Sequence, residues 1–438
     1  MAIATATHVC SECGHSSPKW FGRCPGCGAW STATAPERGE DVVITSLSEA
    51  VTAAERIPTG IGELDRVLGG GLVVGEAILL AGEPGIGKST LVLDLIGALQ
   101  GRGSRCLLAT GEESPGQVGL RARRLGLDLS SVRTVATDSL QQVLAGSDRE
   151  RPNVLVVDSI QTLADQNLEQ VPGSPLQVQS CAAALVRYAK QNACVVVVVG
   201  HVTKDGSVAG PKLLEHVVDA VLGLEGERHG ALRVLRASKN RFGSTEETGV
   251  FVMGERGLEP VPDPSAMLLA DRHPGATGSV VFCGLEGSRP VLMEVQALVT
   301  ASQLTQPRRV AIGVDARRVA MMLGVMSERA EVKLAEDDVF VAAAGGLAVK
   351  EPAADLPLCL ALYSAKTQRP VPEDLVAVGE VGLAGEIRRA PGTERRLSEA
   401  ARLGFTRALV PRGLERGPRG IEISVVSDLG AALTAAAP

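Results

Sequence analysis

The chain has 438 residues, 45% of them apolar, 2% aromatic and 21% charged, with a formal net charge of −6. That length exceeds one ordinary domain and the apolar share can fill two or three cores. The mild acidity excludes a nucleic-acid partner held by the overall field and leaves that task to local basic patches. With so few aromatics, the cores must be built from Val, Leu, Ala and Ile, which suits buried parallel strands. The first residues lack a basic start and a long apolar stretch, so no signal peptide is expected. No apolar run reaches spanning length, so a cytoplasmic protein without a membrane partner is expected.

The N-terminal stretch carries Cys10-x-x-Cys13 and Cys24-x-x-Cys27, separated by ten residues. Each pair sets two thiolates on one tight turn, with Gly14, Gly26 and Gly28 letting the backbone bend around a metal. Two such turns make a closed four-thiolate site for Zn²⁺, and metal binding supplies the folding energy that so short a segment cannot gather from a core. Four patterned cysteines out of nine point to a metal in a reducing compartment, not to disulfides. His8 and His15 read as surface residues. Both tryptophans, Trp20 and Trp30, fall here beside Lys19, Phe21 and Arg23. They can stack on nucleic-acid bases or form the core of the module, and both readings stay open. A zinc module over 1–35 and a polar linker over 36–56 are expected.

A phosphate loop dominates the next unit, expected over 57–262. Gly82-Glu83-Pro84-Gly85-Ile86-Gly87-Lys88-Ser89 matches G-x-x-x-x-G-K-[ST]. The apolar run 77–81 leads into it as a strand, and the stretch from Thr90 to Ile96 leads out as a helix. Backbone N–H groups of 82–90 would cradle the phosphates of ATP at the helix N-terminus, with Lys88 on the β- and γ-phosphates and Ser89 on Mg²⁺. Further strands are expected at 106–109, 132–136, 154–157 and 195–199, alternating with helices as in a parallel sheet covered on both faces. Asp158 ends one strand as a Walker B acid facing the Mg²⁺ shell opposite Ser89. In Gly111-Glu112-Glu113-Ser114, Glu112 is preferred as the group that orients the attacking water. Glu113 is the alternative, and an acidic helix start the competing reading. His201 closes the most apolar strand as a candidate γ-phosphate sensor, or as a locally satisfied histidine. The stretch that follows, 204–212, is made of small residues with Lys204 and Lys212, and it is expected either to follow a nucleic-acid backbone or to be an ordinary mobile loop.

Lys239-Asn240-Arg241-Phe242-Gly243 makes the resemblance specific. Together with the four-cysteine module, the phosphate loop, Gly-Glu-Glu-Ser and Gly-His-Val-Thr-Lys, it resembles the bacterial RadA (Sms) family of DNA-repair proteins over essentially the whole chain. The resemblance implies a RecA/DnaB-like DNA-dependent ATPase, a homo-oligomeric ring (a hexamer) that drives branch migration during recombination. Its partners would be single-stranded and branched DNA and a RecA-type recombinase. By similarity to hexameric helicases, Lys239 and Arg241 would act on a neighbouring subunit's nucleotide.

After Pro260–Pro264 the composition shifts, and a third unit over 263–438 resembles the proteolytic domain of Lon. By that resemblance Ala353 stands where the nucleophilic serine belongs and Glu394 where its lysine belongs. An alanine offers no nucleophile and a carboxylate no activating amine, so peptide cleavage is not expected. Arginine pairs at 308–309, 317–318, 388–389 and 395–396 are candidates for a DNA-facing path, or ordinary solvated charge. The expected fold class is α/β: a RecA-like P-loop core with a parallel sheet, a small four-cysteine module, and an α+β Lon-like domain. A Lon-related protein remodeller without peptidase activity, and a slow timing ATPase, are the competing functional classes.

Overall fold

The computed structural model describes residues 8–13, 15–17, 19–34, 56–201, 211–226, 232–414 and 416–437. Two compact units divide the chain, 1–54 and 55–438. The first holds a three-stranded antiparallel sheet of β1 (His8–Cys10), β2 (Ser16–Ser17) and β3 (Ala33–Thr34), with β1 central. The linker expected over 36–56 lies outside the described residues except for Arg56, which already stands in a strand.

The second unit opens with β4 (Arg56–Ile57), the helix Gly62–Leu68 and β5 (Leu72–Val73). Nine strands then form one sheet: β6 (Ala77–Gly82), β7 (Cys106–Thr110), β8 (Arg133–Ala136), β9 (Val154–Asp158), β10 (Val195–His201), β11 (Ala220–Glu225), β12 (Leu232–Asn240), β13 (Thr248–Gly254) and β14 (Gly257–Pro260). Their order is β14-β13-β12-β11-β6-β10-β9-β7-β8. From β11 to β8 all pairings are parallel, and β11 to β14 continue as an antiparallel meander. Val154–Val157 and Val195–Val199 are buried throughout. Unbroken, valine-rich apolar runs of this kind suit strands covered on both faces. Helices Lys88–Gln100, Pro115–Arg124, Leu140–Glu150 and Pro175–Gln191 make the crossovers.

A second sheet starts at Ser279. It comprises β15 (Ser279–Glu286), β16 (Arg289–Ala301), β17 (Arg309–Ile312), β18 (Asp337–Ala343) and β19 (Leu375–Ala377). A small ribbon of β20 (Glu380–Val381) and β21 (Ile387–Arg388) intervenes before β22 (Arg407–Pro411) and β23 (Glu422–Val426) complete it. The order is β17-β18-β16-β15-β19-β22-β23. Helix Asp355–Thr367, buried along most of its length, supplies the centre of this core.

The two sheets are clamped together. Arg289, at the start of β16, donates to Glu63 at 2.5 Å and to the Pro262 carbonyl at 2.7 Å. Both charges are buried, and Glu63 also accepts the Val250 N–H at 2.8 Å. The turn joining β15 to β16 needs Gly287, whose φ is +65° and whose added Cβ would lie 2.0 Å from the Glu246 carbonyl oxygen. Only a residue without a side chain allows that approach.

Candidate nucleotide site and zinc module

Gly82 ends β6 and the helix Lys88–Gln100 begins six residues later. Gly87 occupies its N-cap with φ +119°, no side chain caps the helix, and no acid stands in its first turn. The first N–H groups are thus left for an anion, in the field of the helix dipole. Lys88 is buried and folds over the loop, donating from Nζ to the Gly82 carbonyl at 2.8 Å and the Glu83 carbonyl at 3.0 Å. Burial pulls its pKa down, against the opposing pull of Asp158 and Glu112. Arg233, a buried cation in the otherwise apolar start of β12, donates to the Ile86 carbonyl at 3.1 Å and so fixes the loop from beneath. Thr90 is buried and packs beneath Gly257.

Three strand ends converge on this loop. His201 pairs with Gly82 in the parallel ladder, and Asp158 pairs with Thr110. Burial raises the Asp158 pKa, a hydrogen bond from the Ser89 hydroxyl lowers it, and the nearby Glu112 and Glu113 raise it further. Glu112 accepts from the Ser159 hydroxyl at 2.5 Å and meets His201 Nε2 at 3.4 Å. Glu113 instead pairs with Arg121 at 2.5 Å. Ser114 is the N-cap of the next helix, in a capping box with Gln117, so both glutamates precede that helix and do not form its first turn. The geometry separates them: one acid is held by a structural cation, the other faces the phosphate loop.

Ser159 and Arg233 were not legible as site residues. Ser159 acts across 47 positions of sequence; the signal for Arg233 is a charge between Leu232 and the apolar pair Val234-Leu235. The loop of Lys204 lies outside the described residues up to Gly210, and Lys212 stands in a short helix, Pro211–Leu214.

The structure does not bring Lys239 and Arg241 to this loop. β11 runs parallel to β6, matching Ala220 to Ile78 and Leu224 to Gly82. β12 runs back, matching Lys239 to Val221 and Asn240 to Ala220. Lys239 is therefore level with Leu79 and Arg241 lies beyond the level of Ile78, about 10 Å and more than about 13 Å of strand from Gly82. Lys239 Nζ donates to the carbonyls of Glu215 at 2.5 Å and Val218 at 2.7 Å. Arg241, half-exposed, reaches the buried Asp219 at 3.3 Å. Arg56 donates to the Phe242 carbonyl at 2.5 Å.

In the N-terminal unit the four sulfur atoms of Cys10, Cys13, Cys24 and Cys27 lie within 4.8 Å of one another. Cys10 and Cys27 are 3.7 Å apart, and Cys13 and Cys24 3.6 Å. Tetrahedral zinc with Zn–S bonds of about 2.3 Å asks for S···S separations of about 3.8 Å. The donor set fits the ion. Trp20 and Trp30 are 66% and 71% exposed, so they are not the core of this module. Arg23 stacks over the Trp30 ring at 5.8 Å.

Family profiles match in the same three places. Residues 57–151 match the KaiC-type ATPase family, 8–33 a rubredoxin metal-binding domain, and 311–413 the ChlI subunit of Mg-chelatase. Over whole chains, the DNA repair protein RadA of Pseudomonas aeruginosa is 46% identical across 451 aligned residues, 99% of each chain. Those of Bacillus subtilis and Aquifex aeolicus are 42% and 44% identical, covering 99% and 97% of this chain. The chain belongs to the RadA family of DNA repair proteins. It is an ATP-hydrolysing enzyme of that family, with a RecA-like nucleotide domain, a four-cysteine zinc module and a C-terminal ChlI/Lon-like domain. Among the described residues, no helix is long and apolar enough to cross a membrane.

Within this RadA-family chain, the Lon-like domain has an ion pair beside the positions compared with the protease. Ala353 is buried, and Glu394 is exposed in the first turn of the helix Thr393–Arg402. Arg396, 1% exposed, grips Glu351 at 2.5 and 3.0 Å and donates to the Cys283 carbonyl at 2.6 Å. Most of the paired arginines have partners within the fold. Arg308 holds Asp338, Arg309 the Leu334 carbonyl, Arg318 Asp355, Arg388 Glu386, and Arg389 the Arg412 carbonyl. Arg317 and Arg395 alone among the eight are exposed with no side-chain hydrogen bond or ion pair among the described residues.

Proposed function

We propose that this protein is a ring-shaped, DNA-stimulated ATP motor of the cytoplasm that promotes branch migration of recombination intermediates. The observation that carries the reading is the placement of Lys239 and Arg241 at the end of the sheet opposite their own phosphate loop. Two cations held at an edge, one of them half-exposed, cannot serve the nucleotide of their own chain. Across an interface they reach that of a neighbour, which ties hydrolysis to assembly, most simply in a hexamer.

In this reading the N–H groups of Gly82–Thr90 and the Lys88 ammonium hold the β- and γ-phosphates of ATP once Lys88 exchanges its carbonyl partners for phosphate oxygens. The Ser89 hydroxyl and Asp158 carboxylate offer the hard oxygen ligands that suit Mg²⁺, which would neutralise phosphate charge when bound. Glu112, held by Ser159, orients the water that attacks the γ-phosphorus as the bond to the β–γ bridging oxygen breaks. His201, in contact with Glu112, registers loss of the γ-phosphate and passes it to the segment that follows. Single-stranded and branched DNA are the polymers moved, and a RecA-type recombinase is the partner; the relatives' name, DNA repair protein, supports that setting.

The test is the ATPase rate with and without single-stranded DNA, with Lys88→Ala as the blank. Clear stimulation is expected, with the variant at background. A rate indifferent to DNA sinks the motor reading and turns the search toward protein substrates for a remodeller.

A further inference from the structure

The turn Ser159–Thr162 leaves the Walker B strand and is wedged between two parts of the nucleotide edge. On one side a Cβ added to Gly111 would lie 2.4 Å from the Thr162 hydroxyl; on the other, one added to Gly200 would lie 3.1 Å from Leu79 and 3.8 Å from the Gln161 amide nitrogen. Ile160 N–H donates to the Val199 carbonyl at 3.0 Å, and Ser159 to Glu112. Gln161 is thus held in the same shell as Glu112 and His201. Its carboxamide is the anomaly: Nε2 and Oε1 are both buried and neither has a hydrogen-bond partner among the described residues. His201 Nδ1 shares that condition. Three of the six such side-chain atoms in the described residues therefore belong to these two side chains at one strand edge.

A buried amide that makes no bond among the described residues carries a desolvation penalty with no return there, so the described fold gives no reason for it. Resting on the nucleotide-site reading above, we infer that the Gln161 carboxamide is a further binding group for the γ-phosphate end of the triphosphate. It donates from Nε2 to a phosphate oxygen or to the water that Glu112 orients. ADP lacks the γ-phosphate, so the group distinguishes ATP from ADP at the edge where β9 and β10 end. An amide suits the task better than a second cation because it donates without adding charge beside Lys88 and Mg²⁺.

Gln161→Met tests this, since methionine keeps the length and apolar stem while deleting both polar atoms. Without nucleotide, the variant should melt at or above the temperature of the parent. The thermal shift given by ADP should be unchanged, and the extra shift given by a non-hydrolysable ATP analogue should be lost. kcat should fall by about tenfold to a hundredfold, the range of one hydrogen bond to a charged group. A lower melting temperature without nucleotide would mean that the chain itself supplies the partner and would overturn the inference. So would an unchanged ATP-over-ADP shift with normal kcat. Lys88→Ala separates the levels: if it too retains nucleotide shifts and turnover, the site assignment fails, whereas a dead Lys88→Ala beside a normal Gln161→Met fails this inference alone.

Discussion

The two sheets of the second unit use charge in opposite ways. Beside the C-terminal sheet, two guanidinium groups are withdrawn from solvent and saturated. Arg396 serves Glu351 and two carbonyls, and Arg318 closes bidentate on Asp355, itself 1% exposed. Around the strand ends of the ATPase sheet, three charges have provisional partners. Lys88 rests on carbonyls of its own loop, Arg241 on Asp219 at 3.3 Å, and His201 on Glu112 at 3.4 Å. A saturated buried charge is part of the packing, whereas a cation at an edge with long or exchangeable contacts can be handed to a ligand. The same residue type therefore means different things in the two halves.

Substituting one arginine in each sheet puts that contrast under strain. Arg241→Ala should leave nucleotide binding measurable and melting nearly unchanged while turnover falls by about a thousandfold, the scale of a trans-acting arginine. Mixing it with Asp158→Ala subunits should restore part of the activity, because some interfaces then pair an intact phosphate-binding half with an intact Arg241. No recovery at any ratio would remove the simplest support for action across an interface. Arg396→Met should do the reverse. Removing one partner of a buried pair strands Glu351 and costs about 3–5 kcal/mol of stability, with kcat per folded molecule near that of the parent. If Arg396→Met lowers turnover without lowering the melting temperature, the division between the two sheets is wrong.

Local features carried the sequence reading and long-range pairings limited it. The phosphate loop is legible because strand, turn and helix lie within a short stretch, and period and glycine placement report each of them. The four cysteines are legible for the same reason. The fate of the arginine pairs was not, because each is decided by a distant partner: Asp338 lies 30 positions from Arg308, and Glu351 lies 45 from Arg396. Neither was the choice between Glu112 and Glu113, adjacent residues with equal chemistry. Arg121, in the helix that follows, engages the second of them, a contact the sequence does not announce.

The zinc module offers a third kind of site, in which the ligand replaces a core. Cys24→Ser should release zinc, measured by a metal-sensitive dye, and abolish the fold of 8–34, because a module with both tryptophans exposed has little else to hold it. Full retention of metal would refute the four-thiolate centre.

The smallest expected effect belongs to a charge that fits neither sheet's pattern. Glu76 is buried at the start of β6 and accepts the Val73 N–H at 2.7 Å. Burial first, then the neighbouring Asp219, pushes its pKa up to about 7, against that hydrogen bond and Arg56. A carboxyl whose folded pKa exceeds its unfolded value favours the folded state fully only below the unfolded pKa, near 4.5, and that contribution is lost as pH rises through about 7. Glu76→Gln keeps the acceptor for Val73 and cannot ionise. It should leave stability at pH 5 nearly unchanged and raise it at pH 8 by about 1–3 kcal/mol, which denaturant melts at the two pH values would resolve. Equal gains at both pH values would mean that packing, not ionisation, sets the effect. A loss at pH 8 would show the carboxylate to be a useful partner of Arg56, and Glu76 would then join the saturated pairs of the other sheet.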